Sequence, residues 1–152
     1  MLTISIRWPG FGIRDSGFAI RIAVMKFAIG LGMQTITSYR DLEAWQLGMD
    51  FAEAVYALTR AFPREELFGL TAQLRRAAVS IPSNVAEGHR HKGVAYRRYV
   101  VIALGSQAEC ETQLELAARV KIASSDRIAP VNALAARVGQ VLHGLARSLP
   151  RD

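Results

Sequence analysis

Apolar residues recur every three to four positions in four separate stretches of the chain, which is the periodicity of an amphipathic α-helix. These stretches cover residues 41–62, 66–87, 94–123 and 127–149. Pro63 ends the first helix, because a proline disfavours helical geometry in the residue before it, and Gly88 suits the left-handed position that closes the second. Heptad-like spacing in the fourth favours a shallow crossing angle. The pattern predicts an all-α fold, an antiparallel up-down four-helix bundle.

The second predicted helix contains a proline in its interior, so a kink is expected there. Pro82 has no amide hydrogen, and its ring clashes with a carbonyl one turn earlier. Ser80, Ser83 or Asn84 can satisfy the freed carbonyl. The polar run that ends at Gly88 therefore has a sufficient structural explanation, in which it bends and ends a helix. Contact with a ligand is the alternative interpretation.

Two further patterns concern helix packing. In the third helix, Gly105 and Ser106 lower helix propensity, and we expect close approach of another helix to offset this cost. The first helix carries two apolar stripes, one of Leu42, Trp45, Ala52, Val55, Thr59 and Phe62 and one of Leu47, Phe51, Ala54 and Leu58. Two stripes predict either a wide core face or a subunit interface.

Residues 1–36 differ in composition from the rest of the chain. Their most apolar part, residues 18–33, is interrupted by Arg21 and Lys26 and is shorter than the roughly 20 residues that a membrane span requires. It also lacks the features of a signal peptide. We therefore expect a poorly structured N-terminal extension, a functional start near Met33, a four-helix domain over residues 37–150, and no membrane association.

Charge points to a polyanionic partner. The net charge is +6. Four basic residues flank a predicted tight turn at Gly93 between helices two and three, namely Arg90, Lys92, Arg97 and Arg98, and Arg75 and Arg76 lie three to four turns back along helix two. Clustered basic side chains neutralise phosphates, and Tyr96 and Tyr99 could stack on a base or ribose. The alternative is a solvated loop with ordinary salt bridges.

The sequence contains no recognisable motif for catalysis or for metal binding. The Glu-x-x-His pairs of di-iron bundles are absent, and His89, His91 and Cys110 lack a fourth zinc ligand at a recognisable spacing. Glu109 and Glu111 are expected to raise the pKa of the Cys110 thiol between them. We predict a protein that is not an enzyme and has no cofactor. A lone cysteine fits the cytoplasm.

Three segments resemble a known family. They are YRDLEAW (residues 39–45), QLRRAAVSIPSNVAEG (residues 73–88) and IALGSQAECETQL (residues 102–114). Together they resemble the proteins encoded in intervening sequences of 23S rRNA genes, also called the S23 ribosomal protein family, and the similarity covers about residues 39–149. The motif positions are Ser80, Pro82, Ser83, Asn84, Glu87, Gly88, Gly105 and Ser106. The same fold occurs in the accessory variability protein of diversity-generating retroelements.

The resemblance implies a four-helix bundle without established enzymatic activity, often assembled as a pentameric ring. It leads to the hypothesis of a homo-oligomer that binds RNA or a nucleoprotein through a basic end formed by helices two and three; DNA is a further possible ligand. The alternative is a protein-protein scaffold or accessory subunit, for example of a reverse transcriptase. The residues His89–Lys92 after Gly88 depart from the usual family pattern.

Overall fold

The computed structural model describes residues 36–151, and in this part of the chain it contains helices and no strand. The four α-helices are α1 (Glu43–Thr59), α2 (Leu70–His91), α3 (Gly93–Arg119) and α4 (Ser125–Ser148). Short 3-10 turns precede α1 at Tyr39–Asp41 and α2 at Arg64–Glu66. The all-α prediction is confirmed. The predicted extension lies outside the described residues except for Ile36.

Neighbouring helices along the chain are also neighbours in space. α1 packs on α2, α2 on α3 and α3 on α4, and α4 returns against α1. Contacts between the diagonal pairs are absent from the described bundle. Short connections between successive helices make each pair antiparallel. This arrangement is the predicted up-down four-helix bundle.

The core is mainly aliphatic and lies along the bundle axis. Its fully buried side chains include Phe51, Leu74, Ile81, Leu114 and Leu142. On α1, members of both predicted stripes reach this core, and Trp45, Leu47 and Ala54 pack on it while half-buried. Most of the two stripes therefore forms one wide core face. The large apolar side chains that α1 leaves exposed are Met49 and Tyr56.

The prediction that Gly88 closes α2 is wrong, because the helix continues to His91. Gly88 is buried within it. A Cβ atom at this position would lie 2.6 Å from Cδ2 of Tyr96 and 2.7 Å from Cβ of Tyr99. Such distances are well inside van der Waals contact. The glycine is thus required by the close approach of α3, and the helix ends one turn later.

The close helix approach predicted at Gly105 and Ser106 occurs at Ser106, whose Oγ lies 2.9 Å from Oγ of Ser80 on α2, but not at Gly105 itself. Gly105 is exposed, and a Cβ there would meet no atom within 4 Å. A close contact between α3 and α4 occurs instead at Gly139, where a Cβ would lie 3.1 Å from Nε2 of Gln107. That amide nitrogen donates a buried hydrogen bond of 3.1 Å to the carbonyl of Ala135. Gln107 therefore fixes the register of the two helices.

α2 runs through Pro82 without interruption. Ser83 Oγ donates to the carbonyl of Val79 at 2.8 Å, and Asn84 Nδ2 donates to that of Ser80 at 2.8 Å. These side chains thus bond carbonyls near the proline, although not the one that its missing amide leaves free. Gly48 of α1 faces the proline ring, since a Cβ there would lie 3.3 Å from it. The proline therefore packs at the α1–α2 contact.

Candidate nucleic-acid interface

The connection between α2 and α3 is a tight turn. Lys92 separates the two helices and has φ 59° and ψ 168°, while Gly93 has φ 54°. The Lys92 conformation is normally adopted by glycine alone, so it carries backbone strain. The turn leaves Arg90 and Lys92 exposed at the tip of the bundle.

The two tyrosines beside this turn belong to the helix packing. Tyr96 is only 7% exposed and makes an edge contact with the ring of His89. Tyr99 is half-buried and stacks on His91 with ring centroids 5.1 Å apart. A hydrogen bond with Glu87 raises the pKa of Tyr99. The expected stacking of these rings on a base is therefore not supported, because their faces are already in contact with α2.

The six predicted basic residues fall into two groups. Arg90, Lys92, Arg97 and Arg98 surround the turn, with Arg97 half-buried and the other three exposed. Arg75 and Arg76 lie in the opposite half of α2, about 20 Å from Arg90 at the helical rise per residue. They cannot belong to the same small patch as the turn.

Arg75 makes its own contacts with α1. Its Nε donates a hydrogen bond of 2.8 Å to Oγ1 of Thr59, and its guanidinium carbon lies 4.7 Å from the centre of the Tyr56 ring. These contacts hold the α1–α2 pair together. Arg76 is exposed on the same stretch of α2.

Three basic residues that the sequence analysis missed lie at the same end as the turn: Arg40, Arg147 and Arg151. The Gln107–Ala135 hydrogen bond sets α3 and α4 in register. The rise per residue is the same in both helices, so counting the same number of residues away from this pair, forwards on α4 and backwards on α3, reaches the same height along the bundle. Twelve residues after Ala135 is Arg147, and twelve residues before Gln107 is Ala95. Arg147 is therefore level with Ala95, near Arg97 in height. The up-down topology brings the end of α4 and the start of α1 to this tip, which no local motif reveals.

The two ends of the bundle can be compared when each is defined in the same way. The turn end comprises residues 36–49, 85–99 and 142–151, and the loop end comprises residues 53–76 and 113–131. Each contains seven arginine or lysine residues among the described residues. The turn end has three carboxylates, and the loop end has five. The turn end is thus the more cationic of the two.

All three carboxylates of the turn end have partners of their own. Oδ2 of Asp41 accepts hydrogen bonds from the amides of Thr37 and Ser38 at 2.9 and 2.8 Å, and these bonds lower the Asp41 pKa. Glu43 pairs with Arg137 of α4 at 2.7 Å. Glu87 bonds Tyr99. These contacts give each of the three acids a part in organising the protein surface.

Most of the motif residues have structural roles. Oγ of Ser80 lies 2.9 Å from Oγ of Ser106 and accepts a hydrogen bond of 2.9 Å from Asn84 Nδ2. This network joins α2 to α3 in the middle of the bundle. Together with Pro82 and Gly88, which lie at helix contacts, it accounts for most of the motif without a ligand.

Two kinds of catalytic feature can be checked in the described part of the chain, a reactive cysteine and a metal site. Burial first, and then the neighbouring Glu109 and Glu111, raises the pKa of Cys110 to about 12. The thiol is fully buried and therefore unsuited to nucleophilic attack. Residues 36–151 hold no group of three or more histidine, cysteine or acidic side chains arranged to bind a metal. Likewise, none of their helices is long and apolar enough to cross a bilayer.

A second surface feature is the groove between α1 and α2, with a volume of about 950 Å³. Its apolar lining includes Trp45, Met49, Tyr56, Val79 and Pro82. Met49, Tyr56 and Val79 are each 37–42% exposed. Apolar side chains gathered in an open groove are typical of a surface that contacts another protein.

Comparisons with known proteins identify the family. A crystal structure of a protein with unknown function from the S23 ribosomal protein family of Bacteroides thetaiotaomicron has a similar fold, with a TM-score of 0.63 and 21% identity over 68% of this chain and 95% of that chain. Curated proteins give no match. The family model described as 23S rRNA-intervening sequence protein matches residues 40–144. The match covers more than half of the chain, which therefore belongs to the 23S rRNA-intervening sequence protein family.

Proposed function

We propose that this protein is a non-catalytic oligomer that binds RNA through the turn end of its bundle. The observation that carries the proposal is the convergence of Arg40, Arg147 and Arg151 on the hairpin that bears Arg90 and Lys92. Basic side chains from three parts of the chain face solvent around one tip. An exposed cationic surface of this kind suits the phosphate backbone of a folded RNA, and its affinity is sequence-independent and salt-sensitive.

Self-association supports this function, because several copies multiply the avidity of a weak patch. The α1–α2 groove is the surface best suited to contact a second copy, given its exposed apolar residues. A ring, such as the pentamer that the family resemblance implies, would repeat the turn end around one axis. Light scattering of the variant Met49→Glu/Tyr56→Glu tests the groove, and a smaller assembly is expected.

A matched control uses Leu116→Glu/Val120→Glu at the C-terminal end of α3, outside the groove. These side chains are 46% and 54% exposed, so the control introduces the same charges at similarly exposed apolar positions. It is expected to keep the assembly of the wild type. Equal masses for all three proteins would contradict the groove as the interface.

Binding of a fluorescently labelled RNA stem-loop, followed by anisotropy, tests the RNA proposal. The variant Arg90→Glu/Lys92→Glu/Arg147→Glu should bind about 100-fold more weakly, because three phosphate contacts become repulsive. All three residues are exposed, so the fold should tolerate the changes. The control Arg119→Glu/Lys121→Glu/Arg127→Glu makes the same charge change at the loop end. Equal losses in both variants would overturn the assignment to the turn end.

A protein-protein scaffold is the second candidate function, favoured by the apolar groove. In that role the groove would bind a protein other than a second copy of this chain, and the charges of the turn end would only keep the protein soluble. The RNA titration separates the two: no measurable binding of RNA by the wild type, together with an intact oligomer, would support the scaffold.

A further inference from the structure

The loop end contains a small cationic pocket that is separate from the turn end. It has a volume of about 380 Å³ and lies where the α1–α2 connection meets the first turn of α2. Its polar lining comes from three arginines and two threonines: Arg60, Arg64, Arg75, Thr59 and Thr71. Its apolar wall comes from Phe62, Pro63 and Leu67. The lining, as described, contains no carboxylate.

One polar atom in this pocket lacks a partner. The Oγ1 atom of Thr71 is buried and has no hydrogen-bond partner among the described residues, and the residue is only 3% exposed. A buried hydroxyl without a partner costs stability. A rotation of the Thr71 side chain about χ1 would turn this hydroxyl towards a molecule in the pocket and give it a hydrogen-bond partner.

Arg75 is held in place beside this hydroxyl. Its Nε bonds Thr59 Oγ1, which in turn donates to the carbonyl of Val55 at 2.8 Å. Stacking on Tyr56 fixes the plane of the guanidinium. Because Nε makes the contact with Thr59, the two terminal nitrogens are available for a bidentate pair with an oxyanion. The arginine is thus preorganised for such a ligand.

The acids nearest in sequence do not compete for this role. Glu65 and Glu66 belong to the 3-10 turn beside the pocket, but neither lines it. Oε2 of Glu66 accepts a hydrogen bond of 3.0 Å from the amide of Leu70, and Glu65 is exposed.

We propose that this pocket binds a phosphate monoester, with the phosphate between Arg64, Arg75 and Thr71 and the attached group on the apolar wall. The pocket volume falls at the small end of ligand sites, which suits one phosphate with a small organic group. A free nucleotide and the terminal phosphate of an RNA share this chemistry. The proposal does not depend on RNA binding by the turn end.

Isothermal titration calorimetry of the full chain with AMP, adenosine and inorganic phosphate tests the site. AMP should bind and adenosine should not. Binding of inorganic phosphate at the strength of AMP would assign recognition to the phosphate alone, whereas weaker binding would give the apolar wall a share. An oligoribonucleotide with a 5′ phosphate, compared with its 5′ hydroxyl form, tests the terminal-phosphate source. No heat with any of the phosphorylated probes at millimolar concentration would overturn the proposal.

Two variants give the test its specificity. Arg64→Gln should weaken AMP binding about tenfold or more, since it removes a charged hydrogen bond. The matched control Arg127→Gln neutralises an exposed arginine at the same end, outside the pocket, and should bind like the wild type. Equal weakening by both would mean diffuse charge attraction and would contradict a built site.

Thr71→Val provides a readout that a purely structural threonine would not give. It should raise the melting temperature without ligand, because an unpartnered buried hydroxyl is lost. It should also weaken AMP binding about tenfold. A variant that melts earlier than the wild type and binds AMP normally would show that the hydroxyl serves the fold.

Discussion

The turn end and the loop end carry the same number of basic residues among the described part of the chain, but they present them differently. At the turn end, arginines and a lysine project from a tight tip whose aromatic rings are packed inside. At the loop end, three arginines line a concave pocket with a buried hydroxyl. Exposed basic side chains on a tip suit a long polyanion, and arginines that line a pocket suit one small anion. The placement of the charges therefore distinguishes the two ends more than their number does.

The largest expected effect appears when RNA binding and AMP binding are both measured for a turn-end variant and a pocket variant. The turn-end variant Arg90→Glu/Lys92→Glu/Arg147→Glu should lose about 100-fold in RNA affinity and bind AMP nearly as the wild type does. Thr71→Val should show the reverse pattern. Anisotropy and calorimetry on the same protein samples measure both. Parallel losses in the two assays would mean that the ends act as one diffuse cationic surface.

Gly88→Ala tests how the turn end is built. Its new Cβ would collide with Tyr96 and Tyr99, so the free energy of unfolding should fall by about 2 kcal/mol. Gly105→Ala is the matched control, because that position is exposed and open. It should stabilise the protein by about 0.5–1 kcal/mol through the better helix propensity of alanine. Urea unfolding followed by circular dichroism measures both, and equal shifts would count against close packing at Gly88.

Lys92→Gly separates the strain of the turn from its charge. Glycine adopts φ 59° and ψ 168° without a steric cost, so the variant should be about 1 kcal/mol more stable than the wild type. It should nevertheless bind RNA more weakly, because a basic side chain is lost from the tip. A loss of stability in urea would show that the lysine side chain makes a contact that outweighs the strain.

The smallest effect is expected from Asp41, which organises the entry into α1 at the turn end. Its pKa is lowered by hydrogen bonds from Ser38 and Thr37. A depressed pKa in the folded state stabilises the protein above the unfolded value, and this contribution is lost as the pH falls through the folded pKa. Asp41→Asn should therefore be less stable than the wild type at pH 7. The two should converge in strong acid, and a constant difference in thermal unfolding would contradict this assignment.

The number, order and approximate extent of the helices could be predicted because each depends on local periodicity. The ends of α2 and the role of Gly88 could not, since they depend on the distance to Tyr96 on another helix. The helix contact predicted at Gly105 is absent for the same reason, since contacts between helices are not encoded locally. A glycine within a helix looks alike in sequence whether it faces a neighbour or solvent.

The candidate site was only partly visible in the sequence. The basic residues of the hairpin are adjacent in the chain, so they were found. Arg40 and Arg147 reach the same tip through the topology of the bundle. Arg75 was grouped with the hairpin by its proximity in sequence, although the length of α2 separates them. Its contacts with Thr59 and Tyr56 assign it to the opposite end.

The salt dependence of RNA binding tests the role of the turn end most directly. The slope of log Kd against log salt concentration counts the phosphates that the protein neutralises. The turn-end variant is expected to lower this slope by about 3 relative to the wild type, whereas Arg119→Glu/Lys121→Glu/Arg127→Glu is expected to leave it unchanged. An unchanged slope in the turn-end variant, or an equal decrease in the loop-end variant, would contradict the account.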